Sequence, residues 1–142
     1  MGYPSGDVPW RVLLVVAAGG VLGSLGRWGL ALALPTQSGA VPWATLTVNG
    51  VGAFLLGLLM VLVTDVRPDQ RYLRPFWGVG VLGGFTTFSA YSVELRAMLA
   101  AGDTGLAAAY LLGTLLLGLV AVAGGLALGR RWYGGRRLEE GT

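Results

Sequence analysis

Polar and apolar positions alternate along this chain in blocks, not with the period of an amphipathic helix. No acid or base falls between Val12 and Gly26, Trp28 and Thr64, Pro75 and Val93, or Thr104 and Gly129. A helix rises 1.5 Å per residue, so roughly 20 apolar residues cross a hydrocarbon core about 30 Å thick. The blocks predict an all-α membrane protein with four transmembrane helices, at about 12–34, 43–64, 75–97 and 104–129, in a single domain over 1–142. The separators fit: Leu34-Pro35-Thr36-Gln37-Ser38-Gly39 and Asp65 to Arg74, with Pro68, are turn and interface chemistry. Trp10, Trp43, Tyr72, Trp77 and Trp132 sit near predicted ends, where amphipathic rings favour the headgroup layer. Arg11 and the small residues Ala17-Ala18-Gly19 give the first block some signal-peptide character. The apolar stretch continues past them and three further spans follow, so it reads as a span.

Composition sharpens this picture. With 54% hydrophobic and 12% charged residues, a soluble fold would have nothing to put on its surface. Lipid accepts such a surface. Cys and His are absent, which excludes thiol catalysis, disulfides, imidazole bases and the commonest transition-metal sites. Asp65, Asp69, Glu94 and Asp103 lie at or beyond span ends. Proton-coupled transport generally requires a carboxylate within the membrane, so this placement argues against a small proton antiporter. The net charge of +3 comes from arginines without lysine, clustered at span ends as membrane flanks. Glu94 beside Arg96 reads first as a span-end charge pair.

Many of the 25 glycines lie within spans. Gly19-x-x-x-Gly23, Gly80-x-x-x-Gly84 and Gly125-x-x-x-Gly129 are close-approach patterns for helices in lipid. Gly78-Val79-Gly80-Val81-Leu82-Gly83 matches a dinucleotide fingerprint, but it lies in a hydrophobic span without a strand–helix unit, so we reject it. The third span departs most from an ordinary helix. Gly83-Gly84-Phe85-Thr86-Thr87-Phe88-Ser89-Ala90-Tyr91-Ser92 concentrates poor helix formers and hydroxyls that compete for backbone bonds. One reading is a helix break near Gly83–Thr87 lining a cavity, its carbonyls suited to a hard cation and its hydroxyls and ring edges to an anion. The other is a Ser/Thr packing seam with intrahelical bonds.

Three ordered blocks resemble the Fluc (CrcB) fluoride-channel family along nearly the whole chain: Gly19 to Trp28, with Arg27 followed by an aromatic; Thr45 to Gly57, around Asn49; and Gly83 to Ser92, followed by Glu94. The resemblance implies an antiparallel dimer with two fluoride pores and a third helix broken in mid-membrane. It also implies one structural Na⁺ between the subunits, not transported, on carbonyls at Gly83 and Thr86. The fluoride pore would use Asn49, Phe88, Ser89, Tyr91, Tyr110 and Thr114, with Arg27 and Glu94 in structural or vestibule roles. Phe88 and Tyr91 match a pair of aromatics whose electropositive edges face the ion. Tyr110 and Thr114, one turn apart, match a polar track. Three positions depart from the family pattern: Tyr91 stands for Phe, Ala90 for a frequent Thr, and Gly118 lacks the track's next hydroxyl.

The function so implied is passive export of toxic fluoride across the inner (plasma) membrane, with no enzymatic step. Four-span efflux transport and a non-conducting assembly role are the alternatives. With four spans, Arg11, Arg67, Arg71, Arg74, Arg130, Arg131, Arg136 and Arg137 share one side, against Arg96 and an outward-reaching Arg27. Such a bias places both termini in the cytoplasm. It leaves two partners open: a second copy inserted both ways, or an oppositely oriented homologue.

Overall fold

The computed structural model describes residues 9–36 and 39–139, with side chains through Tyr133. Gln37 and Ser38 of the first turn, the chain ends, and the Arg136 and Arg137 side chains lie outside that description. Among the described residues all regular structure is helical: α1 (Trp10–Ala33), α2 (Trp43–Val61), α3 (Gly83–Phe85), α4 (Ser89–Ala100) and α5 (Thr104–Glu139). Two π-wound stretches complete it. Leu62–Val66 extends α2, and its Arg67 N–H reaches the Leu62 carbonyl at 2.8 Å, five residues back. Arg74–Leu82, with Pro75 in its first turn, runs directly into α3.

Trp10–Ala33, Trp43–Val66 and Thr104–Tyr133 are each long and apolar enough to cross a membrane. The third segment, from Arg74 to Ala100, comes in two shorter helical pieces instead. α5 continues beyond the apolar block to Glu139, through Gly134 and Gly135. α4 does stop, at Ala101: Gly102 takes φ 84, and the Gly102 and Asp103 N–H groups return to Leu99 and Met98 carbonyls. Only a residue that tolerates the left-handed region closes a helix this way.

Glycine dictates which helices meet. A Cβ on Gly19 would lie 2.5 Å from the Phe76 carbonyl oxygen, one on Gly80 2.8 Å from that of Val16, and one on Gly84 2.5 Å from that of Gly20. Gly23 abuts the Val81 carbonyl just as closely. On the other side of the bundle, Gly57 meets the Val122 carbonyl and Gly125 that of Phe54, while Gly129 packs on Val61. The three small-residue pairs read from sequence thus serve two seams, α1 with Arg74–Phe85 and α2 with α5. The outer surface is apolar, with Val120 70% and Leu116 60% exposed on α5, as lipid requires and water forbids.

Candidate functional site

Helical winding ends at Phe85, and Thr86 turns extended at φ −75°, ψ 158° before α4 begins at Ser89. The Thr86 hydroxyl and N–H both donate to the Leu82 carbonyl, at 2.8 and 2.9 Å, finishing the last turn. In an unbroken helix the Thr87 N–H would close on the Gly83 carbonyl and the Ala90 N–H on that of Thr86. Here Thr87 N–H donates to Asn49 Oδ1 at 2.9 Å, and Ala90 N–H to Thr87 Oγ1 at 3.1 Å. The carbonyls of Gly83 and Thr86 are thereby released from those bonds.

Asn49 performs the repair. Its Nδ2 donates to the Thr87 carbonyl at 2.9 Å while its Oδ1 accepts from the same residue's N–H. One side-chain amide on α2 so satisfies both backbone groups of a non-helical residue, which in an apolar setting would otherwise cost about 1–3 kcal/mol each. An Asn amide carries two N–H hydrogens, and one remains for another acceptor.

Beside this clamp lies a cavity of about 610 Å³, lined by Asn49, Thr86, Thr87, Phe88, Tyr91 and Thr114, with leucines of α5 and Gly118 completing it. Thr114 Oγ1 is buried with no hydrogen-bond partner, alone in this among the described side-chain polar atoms. Phe88 is 78% exposed. Its ring lies 5.7 Å from that of Tyr91, whose ring lies 5.3 Å from that of Tyr110.

Five of the residues selected from sequence therefore share one cavity wall: Asn49, Thr86, Phe88, Tyr91 and Thr114. The others lie elsewhere. Ser89 is exposed, its hydroxyl 3.2 Å from that of Thr87, and Gly83 is exposed beside the break. Tyr110 is 3% exposed and packed with Met98 and Ala107. Its hydroxyl donates to Glu94 Oε2 at 2.6 Å, and Thr45 Oγ1 donates to Glu94 Oε1 at 2.7 Å. Glu94 therefore joins α2, α4 and α5, which corrects the span-end pairing with Arg96 read from sequence. Arg96, two residues away, points from another face of the helix and is exposed. Thr45 escaped the sequence reading, although it lies one turn before Asn49 on α2 and so on the same face, a spacing that could have revealed it.

Arg27 and Glu94 line a second cavity of about 260 Å³ with Thr36, Thr45, Ala90 and Thr87. Thr87 lines both cavities, so the interrupted backbone stands between them. The two freed carbonyls at the break are neutral oxygen donors of the kind that binds a desolvated alkali cation. Among the described residues no cluster of three carboxylate, His or Cys side chains offers a site for a harder-held metal.

Residues 14–126 match the family described as CrcB-like protein, Camphor Resistance (CrcB). The protein of Nocardia farcinica called fluoride-specific ion channel FluC 2 is 48% identical over 126 residues, 89% of this chain and 90% of its own. Two proteins of Streptomyces avermitilis, fluoride-specific ion channels FluC 2 and FluC 3, are 52% and 49% identical over 104 and 119 residues. Those matches cover 73% and 84% of this chain, but only 66% and 58% of the longer Streptomyces proteins.

Proposed function

The chain belongs to the CrcB family, and we propose that it is one subunit of a passive, fluoride-selective channel that exports fluoride from the cytoplasm through the inner membrane. It is an integral membrane protein of an ion-channel family, not an enzyme. The observation that carries the fluoride reading is the cavity beside the break. It gathers an unpaired hydroxyl (Thr114), a spare amide N–H (Asn49) and two aromatic rings (Phe88, Tyr91) in an otherwise apolar wall. Fluoride is small and strongly hydrated, and such a wall offers donors and positive ring edges in exchange for its water. In this reading Arg74–Ala100 crosses the membrane as the third of four spans, in two pieces. The membrane potential, about 2.3 kcal/mol per charge per 100 mV, drives the anion outward without coupling.

A second subunit is part of the proposal, because an aromatic as exposed as Phe88 leaves the cavity without its far wall. The partner lies antiparallel, and Gly83 and Thr86 carbonyls from both subunits hold a structural Na⁺ between them. With its termini in the cytoplasm by arginine bias, the chain pairs either with a second copy of itself inserted the other way or with an oppositely oriented homologue. Relatives FluC 2 and FluC 3 occur within one Streptomyces.

Liposome efflux tests the proposal. Fluoride-loaded vesicles carrying the assembled channel discharge when a K⁺ ionophore relieves charge build-up, and chloride-loaded vesicles do not. Comparable chloride efflux overturns the selectivity. Phe88→Ile removes the ring edge and keeps most of the volume, so its expected flux is at least a hundredfold lower with the assembly intact. Undiminished flux in that variant returns Phe88 to a packing role.

A further inference from the structure

At the arginine-rich end of the bundle, away from the break, a groove of about 420 Å³ opens between α2, Arg74–Leu82 and α5. Its walls are apolar, including Leu55, Leu62, Val81 and Leu128, and two indoles, Trp77 and Trp132, stand in it 48% and 74% exposed. The volume falls within the range of about 300–1,000 Å³ typical of ligand sites. Exposed arginines lie close to its lining residues along the chain. Arg74 precedes Trp77 by three residues, and Arg130 and Arg131 fall between the lining residues Gly129 and Trp132. The stem of Arg74 lies near Leu59 of the wall, since its Cγ and Leu59 Cδ2 both fall within 4 Å of where a Gly78 side chain would begin, at 3.9 and 3.3 Å.

We propose that this groove is a binding site for an anionic phospholipid, with an acyl chain among the leucines and the phosphate on Arg74, Arg130 and Arg131. Indoles settle at the headgroup layer, which puts the groove's mouth at the depth where lipid phosphates lie. Guanidinium groups pair with phosphate oxygens through two parallel N–H bonds, and basic pockets between helices on the cytoplasmic side select acidic lipids. An ordinary annular lipid meets a convex helix surface and no cluster of charge. Here a concave apolar slot opens at the end of the bundle that carries Arg74, Arg130 and Arg131. The site is separate from the cavity at Asn49 and Phe88, and its occupancy does not depend on the permeant ion.

Native mass spectrometry of the full-length protein tests this, with phosphatidylglycerol and phosphatidylcholine of identical acyl chains added in turn. The expected result is phosphatidylglycerol retained at least tenfold more than phosphatidylcholine, lost in Arg130→Gln/Arg131→Gln, and lost in Val81→Phe, which fills the slot. Gel filtration of each variant at the wild-type volume shows that the fold is kept. Equal retention of the two lipids overturns the site in favour of annular lipid. Phosphatidylglycerol held undiminished by Val81→Phe overturns the groove and leaves only surface charge. Disulfide crosslinking between copies of a Leu62→Cys variant assigns the groove to a second copy of the chain and also overturns the proposal.

Discussion

Arg74–Phe85 is fastened to α1 by backbone laid on backbone, Gly19 against Phe76 and Gly84 against Gly20. Ser89–Ala100, the continuation of the same segment, is fastened to α2 and α5 through Glu94, which receives Thr45 and Tyr110 at 2.7 and 2.6 Å. The first half is held by shape and the second by polarity, and Asn49 bonds the residue between them. Shape tolerates no added atom, whereas a hydrogen bond in a membrane has a modest net worth, since its donor finds other partners when the helices part. The rigid half therefore acts as the anchor of the break, and the hydrogen-bonded half adjusts to it.

The largest expected effect comes from violating shape. Gly23→Val drives a branched side chain into the Val81 carbonyl, and its cost exceeds the about 1–3 kcal/mol of ordinary overpacking because backbone must move. Gel filtration of the detergent-purified variant is expected to show aggregate in place of a single peak. Gly29→Ala, on the same helix with nothing within 4 Å, is the control and changes thermal stability by less than about 1 kcal/mol. A well-behaved Gly23→Val protein would end the distinction between the halves.

Next comes the residue at the junction. Asn49→Leu leaves the Thr87 N–H and C=O unpaired, at about 1–3 kcal/mol each. Fluoride efflux is expected to fall at least a hundredfold, with a lowered melting temperature. A variant that melts earlier yet conducts normally would make Asn49 a fold clamp and nothing more. The smallest effects belong to the polar half. Tyr110→Phe and Thr45→Val each remove one donor to Glu94, and interhelical hydrogen bonds of this kind average about 0.6 kcal/mol, with about 1.7 the largest. Thermal unfolding of each single variant and of the double variant measures them. A loss as large as that of Gly23→Val would show that polarity anchors the bundle after all.

Much of this was legible in the sequence, for physical reasons. Uncharged blocks separated by arginines can only be buried in lipid, and spaced glycines mark where backbones touch. Asn49, Phe88, Tyr91 and Thr114 stood out because polar or clustered aromatic residues within an apolar run call for a reason. The π winding of Arg74–Leu82 had no such mark along the chain. From its neighbours Glu94 read as a charge near another charge, and only the family resemblance gave it a structural or vestibule role. Its partners are Thr45, 49 residues away, and Tyr110, 16 residues on, and a pairing across three helices leaves no pattern along the chain.

Thr114 and Tyr110 stand one turn apart on α5, yet one hydroxyl is committed to Glu94 and the other to nothing. A donor already engaged must break its bond before it can greet a newcomer, and that rupture adds to the barrier for passage. The idle hydroxyl of Thr114 has no such reorganisation ahead of it. Its desolvation, about 1–3 kcal/mol, was incurred when the bundle folded, and an acceptor that reaches it recovers that cost. The unmet bond is thus a form of readiness: part of the work of stripping water from an ion is done in advance, during folding, and held in a single oxygen.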